Sequence, residues 1–135
     1  MFFRELARHF PEATSLFIEG SSIAEDITSL LSSHIQEGPY LPIHGTYGAL
    51  FGKLKTQYFR CGFTITLLSG LEKLSEIHAE PEICDHLIVY LGDALLLEFY
   101  DFPKNEIWIP AKINEDRVRA FAASIGTTCK IEYNG

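Results

Sequence analysis

The sequence predicts an α+β domain, an antiparallel meander of strands packed with N-terminal and C-terminal helices. Two observations carry that prediction. Apolar residues recur at helical spacing near the start of the chain and again near its end. Between them, a strand and a short helix lead into three strand-like runs joined by turns, which is the element order of an antiparallel sheet with segregated helices.

The elements follow in order. Residues 2–10 place Phe2, Phe3, Leu6, Ala7 and Phe10 on one helical face, and Pro11 stops the run. A second helix is expected from Ser22, where Ser22 and Glu25 have capping-box spacing and Ile23, Ile27, Leu30, Leu31 and Ile35 recur behind them. Gly38-Pro39 closes it, and PYLPIHGTYGALFG, residues 39–52, reads as a turn region. Phe59, Cys61, Phe63, Ile65 and Leu67 then alternate with smaller or polar residues, the period of a half-buried strand. Ser69 and Glu72 have the spacing to open a short helix whose inner face is Leu71, Leu74 and Ile77. Pro81 separates this helix from HLIVYL, residues 86–91. Gly92-Asp93 is a two-residue hairpin loop, with Gly92 free to take positive φ. Residues 94–102 return, Pro103 to Asn105 turn again, and EIWIPAK forms a third strand with Pro110 near its end. Asn114 caps a last helix with Glu115 and Asp116 in its first turn, an inner face of Val118, Phe121, Ala122 and Ile125, and Gly126 as its terminator. CKIEY adds a short final strand. No linker or repeat divides residues 1–135, so one domain is expected.

Composition bounds the function. The chain has 135 residues, 47% of them hydrophobic and 21% charged. A chain of that length buries roughly two thirds of its unfolded surface and needs no metal or disulfide staple. Cys61, Cys84 and Cys129 are odd in number and form no CxxC, which fits buried thiols in a reducing cytoplasm. MFFRELARHF carries charges too early for a signal peptide, and no apolar stretch approaches the ~18 residues of a membrane span. A soluble, cytoplasmic protein that does not bind a membrane is expected.

The formal net charge is −7, and the charge is concentrated. Glu72, Glu76, Glu80, Glu82, Asp85, Asp93, Glu98 and Asp101 fall within residues 72–101, opposed there by Lys73. Such a field repels phosphate backbones, which argues against nucleic acid, and it speeds encounter with a basic protein.

Four patterns invite chemistry. In HAEPEICDH, residues 78–86, alternate positions are His78, Glu80, Glu82, Cys84 and His86. If extended, Cys84 and His86 share a strand face, and His44 or Glu82 could supply a third zinc ligand. The C-x-H pair stands alone, however, so a solvated acidic loop with Cys84 packed inward is the preferred reading. GTYGALFGKL lacks the P-loop spacing and has Leu54 where the metal-binding hydroxyl belongs. No Cys–His or G-x-S-x-G signature marks a nucleophile. Glu98 and Asp101 point to opposite faces of their strand and cannot act as one acid–base pair. Glu98 is expected to face solvent beside Leu96 and Tyr100, where a carboxylate and a tyrosine suit a protein interface. Trp108 fits either that surface or the core.

The progression PYLPIHGTYGALFG, FTITLLSGLEKLSEI, IVYLGDALLLEFYDF, EIWIP and RVRAFAASIG resembles the SUKH superfamily, the bacterial relatives of a fungal cell-wall-synthesis regulator. The likeness spans roughly residues 20–126, and the family's Leu-Pro-x-x-Tyr segment has its loose counterpart in Leu41 to Tyr47. The resemblance implies an immunity protein that blocks a toxin domain, often a nuclease, with no shared catalytic residues.

The expected function is therefore non-enzymatic protein binding without a cofactor, by occlusion of a basic partner. The expected interface is Glu80, Glu82, Asp85, Glu98, Tyr100, Asp101 and Trp108. Charge reversal at Glu80, Glu82 and Asp85 should then slow association. The alternatives are a metal protein or enzyme built on Cys84, His86 and His44, and a small-ligand site beneath the 39–52 turn region.

Overall fold

Four helices and six strands follow one another in a computed structural model that describes residues 1–38, 57–79, 82–100, 106–109, 115–126 and 130–133, with the backbone alone described at Tyr100, Glu106–Ile109 and Lys130–Tyr133. In chain order they are α1 (Phe2–His9), β1 (Ser15–Gly20), α2 (Glu25–Ser32), β2 (Gln57–Gly62), α3 (Ile65–Ser75), β3 (His86–Leu91), β4 (Ala94–Tyr100), β5 (Glu106–Ile109), α4 (Glu115–Ser124) and β6 (Lys130–Tyr133). The strands form one sheet ordered β2-β1-β3-β4-β5-β6. Its pairs are antiparallel except β5 with β6, which is parallel. A parallel pair needs a crossover, and α4 lies between these two strands in the chain. The α+β class, the β3-β4-β5 meander and the final strand match the sequence expectation; the parallel pairing of that last strand departs from it.

The sheet buries two unlike faces. Leu16, Ile18, Leu87, Val89, Leu97 and Phe99 join the inner faces of all four helices in one apolar core. Phe121 of α4 anchors this layer, with edge-on rings at 5.5 Å from Phe2, 5.9 Å from Phe10 and 6.1 Å from Phe99. The opposite face carries Phe17, Ile88 and Tyr90, nearly sealed from solvent, beside the buried polar residues Ser15, Glu19, His86 and Glu98.

Strand β1 has no counterpart in the sequence reading. All six residues of SLFIEG are buried, because the strand is central and covered on both faces. A short run buried on both sides does not display the alternation that marks a strand with one wet face.

The alternating run 59–67 is half strand and half helix. Strand β2 ends at Gly62, and Thr64 takes the N-cap of α3, its side chain accepting from the Leu67 amide at 3.1 Å. Ile65 and Leu67 thus belong to α3, and Ser69 lies inside that helix rather than at its cap. Leu67, Leu68 and Leu71 satisfy helical spacing as well as the strand period does, and the cap decides between them. Gly70 permits the close approach of α2, since a Cβ there would fall 2.8 Å from Leu30 Cδ2.

Helix α2 is shorter than its apolar spacing predicts and has Ala24, not Ser22, at its N-cap, without a side-chain hydrogen bond. It stops at Ser32 because the next residues serve the sheet edge. Gln36 donates its amide to Arg60 O at 2.7 Å and Gly62 donates to His34 O at 3.1 Å, covering one end of β2. Helix α1, the Gly92 turn at φ 59° and the Gly126 terminator at φ 73° match their sequence signals. The capping role expected of Asn114 lies outside the described residues.

A candidate protein-binding corner

The stretch HAEPEICDH does not act as one unit. Its residues leave the backbone toward three different parts of the molecule. His78 follows α3 and points outward to the first turn of α2, where its Nε2 meets Asp26 at 2.8 Å. Its Nδ1 lies 3.7 Å from Glu82 Oε2. Glu82 closes a local turn, accepting from the Ala79 amide at 2.9 Å, while its own carbonyl accepts from Ala24 N at 2.8 Å. That backbone bond brings the acidic loop against the start of α2.

Asp26 and Glu82 consequently gather around one imidazole, and the exposed Glu25 lines the recess beside it. The side chains of Asp26 and Glu82 are 46% and 48% exposed, so both can reach a partner. Glu25 and Asp26 occupy the first turn of α2, where the helix dipole favours negative charge. Ala24, Glu25, Asp26, Ser29 and His78 outline an open recess of about 500 Å³, enough for a long basic side chain. Ile77, 72% exposed, stands next to His78 in the chain. The hydrogen bond to Asp26 holds the His78 imidazolium above its ordinary range, and the same bond holds the Asp26 carboxyl below the usual aspartate range.

Cys84 and His86 diverge. Cys84 precedes β3 and packs into the helix-side core, whereas His86 lies on the opposite face with Ile88 and Tyr90. The alternative in which they share a strand face is thus corrected, and Cys84 packs inward as the preferred reading has it: the chain turns at Asp85, whose amide donates to Glu19 O at 2.8 Å, before alternation begins. No group of three or more His, Cys, Asp or Glu side chains among the described residues could hold a metal ion. His44, the proposed third ligand, lies outside the described residues. Burial pushes the Cys84 thiol well up, with Asp85 adding to the effect, and burial alone pushes Cys61 up to about 11. Both are free, protonated thiols at neutral pH, poor nucleophiles and poor metal ligands.

Glu98 also departs from expectation. It is fully buried, not solvent-facing, and its carboxylate is in direct contact with His86 Nε2. The second sheet face is itself buried at its centre. Separately, a register shift at Val89/Tyr90 breaks the simple alternation along β4 before Glu98. Leu96, expected beside Glu98, enters the helix-side core instead. Because both His86 and Glu98 are sealed, the pair cannot meet a partner or a substrate at the surface.

Of the remaining predicted interface residues, Glu82 stands in the acidic corner. Asp85 is partly buried and occupied in a turn, accepting from Ser21 N at 3.0 Å and Ser21 Oγ at 3.2 Å. Trp108 pairs with Glu98 through the backbone register of β5 and β4. The side chains of Tyr100 and Trp108, and Glu80 and Asp101 altogether, lie outside what is described. Glu25 and Asp26 lie outside the acidic run 72–101 that charge density marks, and Glu25 forms no capping box with Ser22, since Ala24 holds the N-cap of α2. Their signal was present as paired acids at a helix start, but nothing local tied them to His78.

No protein-family model matches the chain, and no curated protein or solved structure matches it either. No helix among the described residues is long and apolar enough to cross a membrane.

Proposed function

We propose that this chain is a non-enzymatic, cytoplasmic protein-binding module that occludes a basic partner, in the manner of an immunity or regulatory protein. One observation carries the reading: Asp26 and Glu82, from distant parts of the sequence, converge on His78 to make an exposed acidic corner beside Ile77. Clustered carboxylates complement a cationic surface, and the recess at Asp26 offers a seat for a lysine or arginine. Two free, protonated cysteines support a reducing compartment. The resemblance to the SUKH superfamily points the same way and suggests a toxin domain, such as a nuclease with a basic cleft, as the partner.

The proposed interface therefore differs from the one charge density marks. Glu82 is retained, Glu25, Asp26 and Ile77 are added, and Glu98 is withdrawn because it is buried. The test is affinity capture from the source organism with the native chain and with the triple variant Glu25→Lys/Asp26→Lys/Glu82→Lys. The native chain should recover one basic protein in near-equal amount. The variant should associate at least about tenfold more slowly at low salt, with a flatter salt dependence. Unchanged association rates and salt slope would refute the acidic-corner reading, and a clean native bait would count against the immunity role.

A further inference from the structure

On another surface, α1 and α3 leave a groove of about 580 Å³ between them. Its two banks are helical. Arg4, Ala7, Arg8 and Pro11 follow one another at turn spacing along α1 and just beyond it, and Ile65, Leu68, Ser69, Glu72 and Lys73 do so along α3. From Ile65 to Lys73 the α3 bank rises about 12 Å, the length of roughly two helical turns. The floor is apolar, built from Ala7, Pro11, Phe63, Ile65 and Leu68. Ile65 is 80% exposed, the most exposed of the large hydrophobic residues described.

The rim is basic although the protein as a whole is acidic. Arg4, Arg8 and Lys73 are exposed around it. The acids nearby, Glu72 of the lining itself among them, are each paired with a cation. Glu72 is in direct contact with the Met1 ammonium, and Glu5, on α1, is shared by Arg8 at 3.3 Å and His9 at 3.5 Å.

We infer that this groove docks a short amphipathic helix of a partner protein, one whose two or three apolar side chains are flanked by Asp or Glu. A linear apolar trough between two helices takes the apolar face of a third, because that completes a helix layer and removes Ile65 from water. The cations on both banks select carboxylates on the flanks of the incoming helix and repel a basic one. The inference does not depend on the acidic corner, which has the opposite charge and the opposite preference.

The test uses a fluorescent synthetic peptide of about twelve residues, with Leu at helical spacing and Glu on both flanks, and a counterpart with Lys replacing each Glu. Binding is followed by polarisation, and the site by amide shifts in solution NMR. The acidic peptide should bind saturably, shift Ala7, Phe63, Ile65 and Leu68, and outbind its basic counterpart by at least about tenfold. Arg4→Glu/Lys73→Glu and, separately, Ile65→Asp should each weaken it by about tenfold or more, with unchanged circular dichroism, while Arg4→Lys/Lys73→Arg keeps most of the affinity. Equal binding of the two peptides overturns the inference. So does no binding of the acidic peptide up to about millimolar concentration. Groove shifts produced by dodecanoate alone would make it a small-molecule site, and self-association abolished by Ile65→Asp would make it a contact between copies of this chain; either outcome overturns the peptide proposal.

Discussion

The stretch HAEPEICDH supplies two histidines, and each meets a carboxylate, with opposite consequences. His78 meets Asp26 in the open, where both side chains keep contact with water. His86 meets Glu98 under complete burial. The chemical groups are the same, but the surroundings differ. In water an ion pair competes with hydration and adds little to stability, while its charge remains available to another molecule. Sealed in the sheet, the same pair has lost its hydration, so each member depends on the contacts that replace it. The first is therefore a surface feature, and the second fixes how β3 and β4 meet.

The largest effect should come from breaking the sealed pair on one side only. Glu98→Leu leaves the His86 imidazole without its carboxylate and should cost about 3–5 kcal/mol in urea unfolding at neutral pH. A loss below about 1 kcal/mol would show that the two pairs are energetically alike after all.

The double variant His86→Leu/Glu98→Leu sharpens the contrast. Removing both members removes both halves of that buried contact, so the double variant should be at least about 1 kcal/mol more stable than Glu98→Leu alone. A simple sum of two losses would mean that the pair is not coupled.

The open pair should answer mainly to pH. Asp26 is held below its ordinary 3.8, so its contribution is present above that value and fades as pH falls through the lowered one. His78 is held above its ordinary 6.5, so its contribution is full below that value and fades as pH rises through the raised one. The two conditions overlap between about pH 4 and 6.5. The difference in Tm between the native chain and His78→Asn should therefore be small, greatest in that window and smaller on either side. A difference that is flat across pH would remove the pair from the account. Above its raised pKa His78 is neutral and the corner more negative, so a basic partner should associate faster there.

How far the sequence revealed these features depended on how local their causes are. Helix α1 and the Gly92 hairpin rest on neighbours within a turn, and both were legible. The β2–α3 boundary turned on the Thr64 cap, which competed with an equally good alternating pattern. Strand β1 and the burial of Glu98 depend on what lies across the sheet, and the side taken by Leu96 depends on a bulge, neither of which any period reports. For the binding corner, Glu82 was legible from charge density. Asp26 was not, because its relation to Glu82 is made by the Ala24–Glu82 backbone bond and by His78, both products of folding.

The position of β1 also governs the order in which the molecule can assemble. This early strand lies in the sheet interior, with Ser15 registered against Gly62 on one side and Tyr90 on the other. Closing such distant contacts costs chain entropy before any pairing rewards it, so folding should be slow for a chain of this size. During synthesis SLFIEG leaves the ribosome well before either neighbour, with both hydrogen-bonding edges open. Until β3 arrives, that hexapeptide is the segment most exposed to pairing with a wrong strand, and replacements that lower its β-propensity should change refolding yield before they change the final structure.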